Sequence, residues 1–186
     1  MAETSLLVFA HRDEATAFSS AGVPHLLTGV GKVNAALGLT DALRAAGRVD
    51  RVIVLGTAGV IGAGVSLDTV YQVSAAVQHD FSLPSPRLEL ASPQITDTAV
   101  VATGDVFVKN DEQRRLIAEL GANLVDMETY AYVTVCERLG VPLQVFKAPS
   151  DFADSATTDE EWDTIVFQKS EQLLAFVEAQ LPEVLR

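Results

Sequence analysis

Arg51-Val52-Ile53-Val54-Leu55, followed directly by Gly56-Thr57-Ala58-Gly59, is the stretch of this sequence that decides the fold. A short run of Val, Ile and Leu predicts a buried strand. The glycines after it allow backbone N–H groups to approach a ligand closely. In open α/β sheets, ligands bind beyond the carboxyl ends of the strands. The sequence therefore predicts a binding site where this strand gives way to the glycine segment.

Strands and helices alternate on both sides of this stretch. Because alternation of this kind favours parallel pairing with helices on both faces, we predict one domain over residues 1–186. Its fold class is a three-layer α/β/α arrangement with a central mixed, mostly parallel sheet. The segment 82–93 contains three prolines and is predicted to be a loop or a short edge hairpin. The predicted strands cover 6–10, 25–28, 51–55, 69–77, 98–102, 124–126 and 143–147. The predicted helices cover 13–18, 32–46, 110–120, 128–139 and 158–185. Asn110 or Asp111 is predicted to cap the helix over 110–120, and Thr158 or Asp159 the last helix.

Composition limits the classes of partner. The 186 residues carry a formal net charge of −12, which disfavours a nucleic acid or an anionic membrane surface. No apolar run reaches the roughly 18–20 residues that span a bilayer. The start of the chain lacks a basic signal-peptide region, and the one cysteine, Cys136, has no partner for an internal disulfide. We therefore expect a cytoplasmic protein that binds a small molecule.

Four acidic residues fall just beyond predicted strands. They are Glu14, Asp105, Glu128 and Asp151. Any one of them could simply be a solvated surface carboxylate, but four in comparable positions indicate a site. Asp151 follows a buried strand among small and apolar neighbours, which makes it the candidate general acid.

Other motifs favour structural roles. Gly29-Val30-Gly31-Lys32 lacks the Ser or Thr of a phosphate loop, because Val33 follows the lysine, so a tight turn between strand and helix is the simpler interpretation. The histidines do not share the spacing of metal ligands, and we predict neither a metal nor a cofactor. His25 lies within an apolar strand and is predicted to be a core histidine. Cys136 is predicted to be a packing residue on a helix.

Several of these motifs, taken in order, resemble the nucleoside phosphorylase and nucleosidase superfamily. The resemblance extends from Leu6 to Leu181 and is closest to the methylthioadenosine/S-adenosylhomocysteine nucleosidases, with futalosine hydrolase as a near relative. The matching segments are Gly29-Val30-Gly31-Lys32-Val33-Asn34-Ala35-Ala36, Gly56-Thr57-Ala58-Gly59, Val125-Asp126-Met127-Glu128, Ser150-Asp151-Phe152-Ala153-Asp154 and, more weakly, Thr103-Gly104-Asp105-Val106-Phe107.

The resemblance implies cleavage of the bond between a purine and its ribose. Asp151 resembles the acid that protonates or hydrogen-bonds N7 of the purine, and Glu14 the base that orients the attacking water. Because the reaction produces a ribosyl cation and a purine anion, protonating N7 neutralises the leaving group. A carboxylate near the ribose stabilises the cation, as in glycoside hydrolysis.

The same resemblance implies a set of residues that bind the substrate. Glu128 resembles the residue that binds the ribose hydroxyls, and Met127 the one that packs against the sugar. Phe107 resembles the aromatic residue that stacks on the base, with the Val108 backbone facing the base edge. Thr57 and Gly59 fall where the glycine segment approaches the sugar and the nucleophile, and Ser150 is the last residue of the substrate-binding set.

Water is favoured over phosphate as the nucleophile. Phosphorylases of this superfamily usually have an arginine just before the glycine segment, whereas this chain has Leu55. Arg12 is near the first strand, but Glu14 would repel a phosphate. The alternatives are a phosphate-dependent phosphorylase, a futalosine hydrolase and a nucleoside-binding protein without activity.

The chain departs from the family pattern between Asp80 and Thr98, where it is shorter. In the family, that region shapes the 5′ side of the pocket and the contact between subunits. The resemblance implies a homodimer, and it leaves the purine base and the 5′ group of the substrate open.

Overall fold

The computed structural model describes residues 3–155 and 159–185, with side chains from Asp163 onward in the second range. Its strands are β1 Ser5–Phe9, β2 Leu26–Leu27, β3 Arg51–Val60, β4 Tyr71–Gln78, β5 Leu88–Glu89, β6 Thr98–Thr103, β7 Leu124–Asp126 and β8 Leu143–Asp151. Its helices are α1 Thr16–Ser20, α2 Lys32–Ala45, α3 Asp111–Ala118, α4 Thr129–Leu139 and α5 Asp159–Gln180, and a 3-10 turn at Pro182–Leu185 follows.

The described strands form one mixed sheet in the order β2-β1-β3-β7-β6-β4-β5, with β8 pairing to both β3 and β4. The pairs β1–β2, β1–β3, β3–β8, β4–β6 and β6–β7 are parallel, whereas β3–β7, β4–β5 and β4–β8 are antiparallel. The predicted mixed, mostly parallel sheet is therefore confirmed. One feature was not predicted: β3, β8, β4, β6 and β7 pair in a closed ring, so that part of the sheet curls into a barrel.

Helices cover both faces of the sheet, which confirms the three layers. Side chains alternate along each strand. In β3, Val52 and Val54 therefore point to the core under α2 and α4. Ile53 and Leu55 point to the opposite core, which α1 and α5 cover. Burying each such side chain contributes roughly 1.5–3 kcal/mol, so the two cores fix the strand register.

Two predicted loops are instead the ends of paired strands. β3 continues through the glycine segment to Val60, and β8 continues to Asp151. The two extensions pair with each other, Gly56 opposite Lys147 and Gly59 opposite Asp151, with a register shift at Gly59. Sequence reasoning ended both strands too early because glycine and proline have poor strand propensity, which tertiary pairing overrides here. This pairing places Thr57 and Gly59 beside Ser150 and Asp151.

The remaining elements mostly follow the sequence. Asn110 caps α3 as predicted, since its Oδ1 accepts hydrogen bonds from the N–H groups of Glu112 and Gln113. The segment 82–93 holds the short edge strand β5, paired antiparallel to β4. The predicted cap at Thr158 lies outside the described residues. None of the described helices combines the length and apolarity needed to cross a membrane.

The two predictions for individual core residues had different outcomes. Cys136 is buried in the core as predicted, and burial raises the pKa of its thiol to about 12. The prediction of a core histidine was wrong. His25 is half-buried before β2, with its Nδ1 at 2.8 Å from the carbonyl oxygen of Val23 and its ring edge-on to Phe9. The ring of His25 finds polar partners near the surface, so its side chain does not have to be buried in the core.

Candidate active site

A cavity of about 330 Å³ opens at the carboxyl ends of the strands. This volume lies in the range that accommodates small-molecule ligands. The segments after β1, β6 and β7 line it, together with the last residues of β3 and β8. All nine predicted site residues lie on its wall, namely Glu14, Thr57, Gly59, Phe107, Val108, Met127, Glu128, Ser150 and Asp151. The structure thus brings together residues that are up to 137 positions apart in the sequence (151 − 14).

Hydrogen bonds hold the Glu14 carboxylate in a fixed position in the wall of the cavity. Its side chain is buried, and Oε1 accepts hydrogen bonds from the Thr57 N–H at 2.6 Å and the Thr57 hydroxyl at 2.7 Å. Oε2 accepts a bond from the His11 N–H at 3.1 Å. Charge-assisted bonds of this kind fix a carboxylate in one orientation. Thr57 therefore positions Glu14, in addition to lining the cavity.

Asp151 lines the cavity at the end of β8. Its Oδ2 accepts a bond from the Ser150 hydroxyl at 2.6 Å, and its Oδ1 accepts one from the Ala153 N–H at 2.8 Å. Ala153 has a positive φ of 49°, a left-handed conformation that costs a non-glycine residue roughly 1–2 kcal/mol. The strained turn aims the Ala153 N–H back at the carboxylate. The Ser150 hydroxyl therefore also helps to orient the Asp151 carboxylate.

Glu128 connects the cavity to the turn before α2. It is buried, and its Oε1 accepts a bond from the Gly31 N–H at 2.8 Å. Burial, followed by the negative charge of Asp126, raises the pKa of Glu128 to about 8. In the empty cavity this carboxyl is therefore mostly protonated at neutral pH.

A buried ion pair lies next to Glu128, and sequence reasoning missed it. Lys147 Nζ is 2.9 Å from Asp126 Oδ2, and both side chains are almost fully buried. Asp126 also accepts bonds from the Thr103 hydroxyl and from the N–H and hydroxyl of Thr129. Burial opposes both charges, but their attraction and these bonds keep the pKa of Asp126 low and that of Lys147 high. A lysine at the end of an apolar strand was the only signal in the sequence.

One part of the cavity wall is apolar. Residues 106–108 form it, with Phe107 partly exposed and Val108 buried. Lys109 Nζ lies 6.0 Å from the centre of the Phe107 ring, at the outer limit of a cation–π contact. Met127 adds a half-buried side chain to the lining. Such a wall suits a flat, weakly polar group such as a base.

The cavity wall carries several acidic side chains, although Lys147 pairs with Asp126 and Glu128 is mostly protonated at neutral pH. The described residues that line it include no Lys or Arg but five acids, Glu14, Asp126, Glu128, Asp151 and Asp163. Arg12 points away, since its side chain is 83% exposed and pairs with Asp13. A phosphate would be repelled here, because phosphate sites need clustered donors and cations.

The turn before α2 is not an anion site either. The Gly31 N–H donates to Glu128, and the Lys32 N–H donates to Asp105 Oδ1 at 2.7 Å. Helix N-terminal N–H groups that could bind a phosphate are thus already used by carboxylates of the protein. Asp105 is exposed and does not line the cavity, so the fourth acid of the sequence pattern acts as a helix cap. Within the described residues, no cluster of His, Cys, Asp and Glu is arranged to hold a metal ion.

A family model described as the phosphorylase superfamily matches residues 11–99 and 87–181. The chain belongs to the phosphorylase superfamily. The resemblance inferred from its motifs is confirmed by this match, which covers most of the described chain.

Named members of the phosphorylase superfamily are similar along most of their length. The aminodeoxyfutalosine nucleosidase of Helicobacter pylori is 26% identical, over 83% of this chain and 78% of the relative. The 5′-methylthioadenosine/S-adenosylhomocysteine nucleosidase of Haemophilus influenzae is 27% identical, over 80% of this chain and 77% of the relative. Both relatives are named as nucleosidases, the class that the missing arginines indicated.

Solved structures share the fold. The futalosine hydrolase of Helicobacter pylori superposes with a TM-score of 0.83 at 22% identity, covering 98% of this chain and 99% of that chain. A 5′-methylthioadenosine/S-adenosylhomocysteine nucleosidase from Neisseria meningitidis, in complex with methylthio-immucillin-A, superposes with a TM-score of 0.81 at 22% identity, covering 98% of each chain. The nucleoside phosphorylase-like fold predicted from the sequence is thus confirmed.

Proposed function

We propose that this chain is a purine nucleosidase, which hydrolyses the N-glycosidic bond of an adenosine-type nucleoside to a free base and a ribosyl product. The observation that carries the proposal is the placement of Asp151 and Glu14 in the wall of one cavity that no described Lys or Arg lines. An acid for the leaving base and a fixed carboxylate for water are the two groups that hydrolysis needs. The nucleosidase names of the relatives support the same class.

In the proposed mechanism, the base lies against Phe107 and the Val108 backbone, and the ribose lies over Met127. Asp151 protonates or hydrogen-bonds N7 as the glycosidic bond lengthens. Glu128 binds the ribose hydroxyls. Glu14 holds the attacking water, because Thr57 and His11 fix its carboxylate in place. Holding water and nucleoside together in the correct orientation supplies a large part of the rate enhancement.

A panel of nucleosides tests this proposal. Adenosine, methylthioadenosine, adenosylhomocysteine, inosine and futalosine are incubated with the protein, with and without phosphate, and the free base is quantified. We expect base release from at least one of them at the same rate in both buffers. Strict dependence on phosphate would instead identify a phosphorylase, and no release from any nucleoside would leave a binding protein without activity. Futalosine belongs in the panel because one relative is an aminodeoxyfutalosine nucleosidase.

Asp151→Asn tests the assigned acid. Asparagine keeps an oxygen that can accept the Ala153 N–H, and its amide can hydrogen-bond N7 but cannot transfer a proton to it. We expect kcat to fall roughly 10²- to 10⁴-fold, the usual contribution of a positioned general acid. The control is Asp97→Asn, at an exposed position just before β6. Full activity of the Asp151→Asn variant on every cleaved nucleoside would show that the assigned mechanism is wrong.

We also propose that the protein is a homodimer, joined through α2. Val33 and Leu37 are one turn apart on α2 and are 67% and 61% exposed, and Val30 beside the cavity is 40% exposed. Exposed apolar strips of this kind are usual at interfaces, and twofold symmetry would place the strip against itself. Light scattering after gel filtration should give twice the chain mass, and Leu37→Glu should give the monomer. Leu116→Glu, at an exposed leucine of α3, is the matched control.

A cytoplasmic location is proposed as well. The acidic composition and the single cysteine, which is buried, support a protein that works in a reducing compartment. Fractionation of the cells that produce the protein tests this location. Recovery in the periplasmic or membrane fraction would contradict it.

A further inference from the structure

A network of hydrogen bonds just outside the cavity joins three segments that are far apart in the sequence. Lys32 Nζ donates to Asp80 Oδ1 at 2.7 Å and to Gln78 Oε1 at 3.1 Å. The Asp105 N–H donates to Asp80 Oδ2 at 2.8 Å. Asp105 Oδ1 in turn accepts the Lys32 N–H at 2.7 Å. We call the side chains of Lys32, Asp80 and Asp105 the clasp, since they form a closed loop of contacts.

Two of the three side chains of the clasp are largely buried, and the strand ends next to them pack closely. The side chains of Lys32 and Asp80 are only 20% and 19% exposed, although both are charged. Burial alone would raise the pKa of Asp80, but the bonds from Lys32 and the Asp105 N–H outweigh it and lower that pKa. His79 packs so closely on Gly104 that a Cβ there would lie 2.4 Å from its ring. The ends of β4 and β6 therefore cannot separate without breaking several contacts.

Two of the three segments joined by the clasp lead directly into the wall of the cavity. Asp105 precedes the apolar wall at 106–108, and Lys32 follows Gly31, whose N–H holds Glu128. Gly31 has a φ of +94°, and a Cβ there would lie 3.1 Å from Asp105 Oδ1. Neither Asp80 nor Asp105 lines the cavity. The clasp thus connects the wall proposed to bind the base with the carboxyl proposed to bind the ribose.

We propose that Asp80 and Asp105 are positioning residues, which hold the segment 106–108 against the Gly31 turn and so fix the distance between the base and ribose subsites. This inference rests on the proposed function for the identity of the ligand, but the positioning itself is a property of the empty protein. Charged partners give hydrogen bonds roughly twice the strength of neutral ones, so a clasp of three charges can hold a short loop in place. Loss of either carboxylate frees residues 106–108 and leaves intact the catalytic groups Glu14, which follows β1, and Asp151, at the end of β8.

The test compares Asp80→Ala and Asp105→Ala with Asp105→Asn and with Asp50→Ala. Asparagine at position 105 keeps an oxygen for the Lys32 N–H and should restore function. Asp50 is a close match for Asp80, because it also accepts one backbone N–H, from Thr4, and one cation, Arg48, but at the opposite end of β3. Kinetic constants are measured on the best substrate of the panel, and binding of free adenine is measured by calorimetry. Hydrogen exchange of peptides covering 104–110 is followed without ligand.

For both clasp alanine variants, we expect KM and the adenine Kd to rise about tenfold, the loss of one bond to a charged group. We expect kcat to change less than about threefold, because the clasp should favour binding of the substrate and of the transition state equally. Exchange should accelerate at 104–110. Asp105→Asn and Asp50→Ala should leave KM and this exchange near those of the original chain.

Three outcomes would overturn the proposal. They are unchanged exchange and KM in both alanine variants, an equal rise of KM in Asp50→Ala, and a fall in kcat with KM unchanged. Failure of the original chain to release or bind any base overturns the proposed function. In that case the exchange measurement still decides whether the clasp positions the wall.

Discussion

At the scale of single residues, Gly56 leaves little room for a side chain next to Glu14. A Cβ at this position would lie 3.1 Å from Glu14 Oε1 and 3.4 Å from Lys147 Nζ. Both atoms belong to charged side chains with fixed partners, so neither can move away cheaply. Glycine in the middle of β3 is therefore explained by the two charges that meet over its backbone.

Gly56→Ala should therefore displace Glu14 and lower kcat/KM roughly tenfold or more, since misplacement by about 1 Å can cost 10²-fold. Gly47→Ala is the matched control, because a Cβ there meets no atom within 4 Å. Steady-state kinetics of both variants give the comparison. Equal activity in the two would mean that Glu14 is not held where the reaction needs it.

The residues of the site were predictable to different degrees. Glu14, Glu128 and Asp151 could be selected because each follows a strand and each belongs to a recognisable motif. Asp126 and Lys147 were missed as a pair, since a buried ion pair exists only after β7 and β8 enter the same closed sheet. Asp105 was grouped with the site acids because its position after β6 is the same, and only the structure shows that it caps α2.

At the scale of secondary structure elements, the Lys147–Asp126 pair joins β8 to the start of α4. Asp126 accepts the N–H and hydroxyl of Thr129, the first residue of that helix, so the pair also anchors Glu128 just before it. Lys147→Met should cost roughly 3–5 kcal/mol of unfolding free energy, because it leaves a buried carboxylate without its cation. Urea denaturation at neutral pH measures this loss.

A double variant separates the ion pair from simple packing. Asp126→Asn combined with Lys147→Met removes both charges, so the double variant should be more stable than Lys147→Met alone. If the loss of unfolding free energy in the double variant instead equals the sum of the losses in the two single variants, the charges do not interact. The comparison uses m-values as well, since a changed m-value would signal a change in the unfolded ensemble.

The elements also show why the sequence predicts the presence of a strand more accurately than the residue at which the strand ends. Apolar runs identified seven of the eight described strands, and only the short β5 was left as an alternative between loop and hairpin. The ends of β3 and β8 were placed at Leu55 and Lys147, although each strand continues for several residues. Their extensions contain glycine and proline and are strands only because they pair with each other. Pairing partners distant in sequence cannot be read from local propensity.

At the scale of the whole molecule, the acidic cavity makes folding stability depend on pH. Glu128 has a pKa raised to about 8 in the folded protein, against an ordinary value of 4.5. The folded state therefore binds more protons at this group than the unfolded state between these values. Stability from Glu128 is present below pH 4.5 and is lost as the pH rises through 8. His79, whose pKa burial lowers, changes stability in the opposite sense near its ordinary value of 6.5.

Glu128→Gln isolates the contribution of this carboxyl, because His79 is common to both proteins and cancels in the difference. Glutamine resembles the protonated acid and does not titrate. The unfolding free energy of the original chain minus that of the variant should therefore fall as the pH rises from 5 towards 8 and level off above 8, because the two states differ in proton binding only between the two pKa values. Urea denaturation at several pH values measures it. A difference that stays constant across this range would mean that Glu128 is already ionised in the folded protein at pH 5, and that the buried acids share their charge differently from the arrangement described.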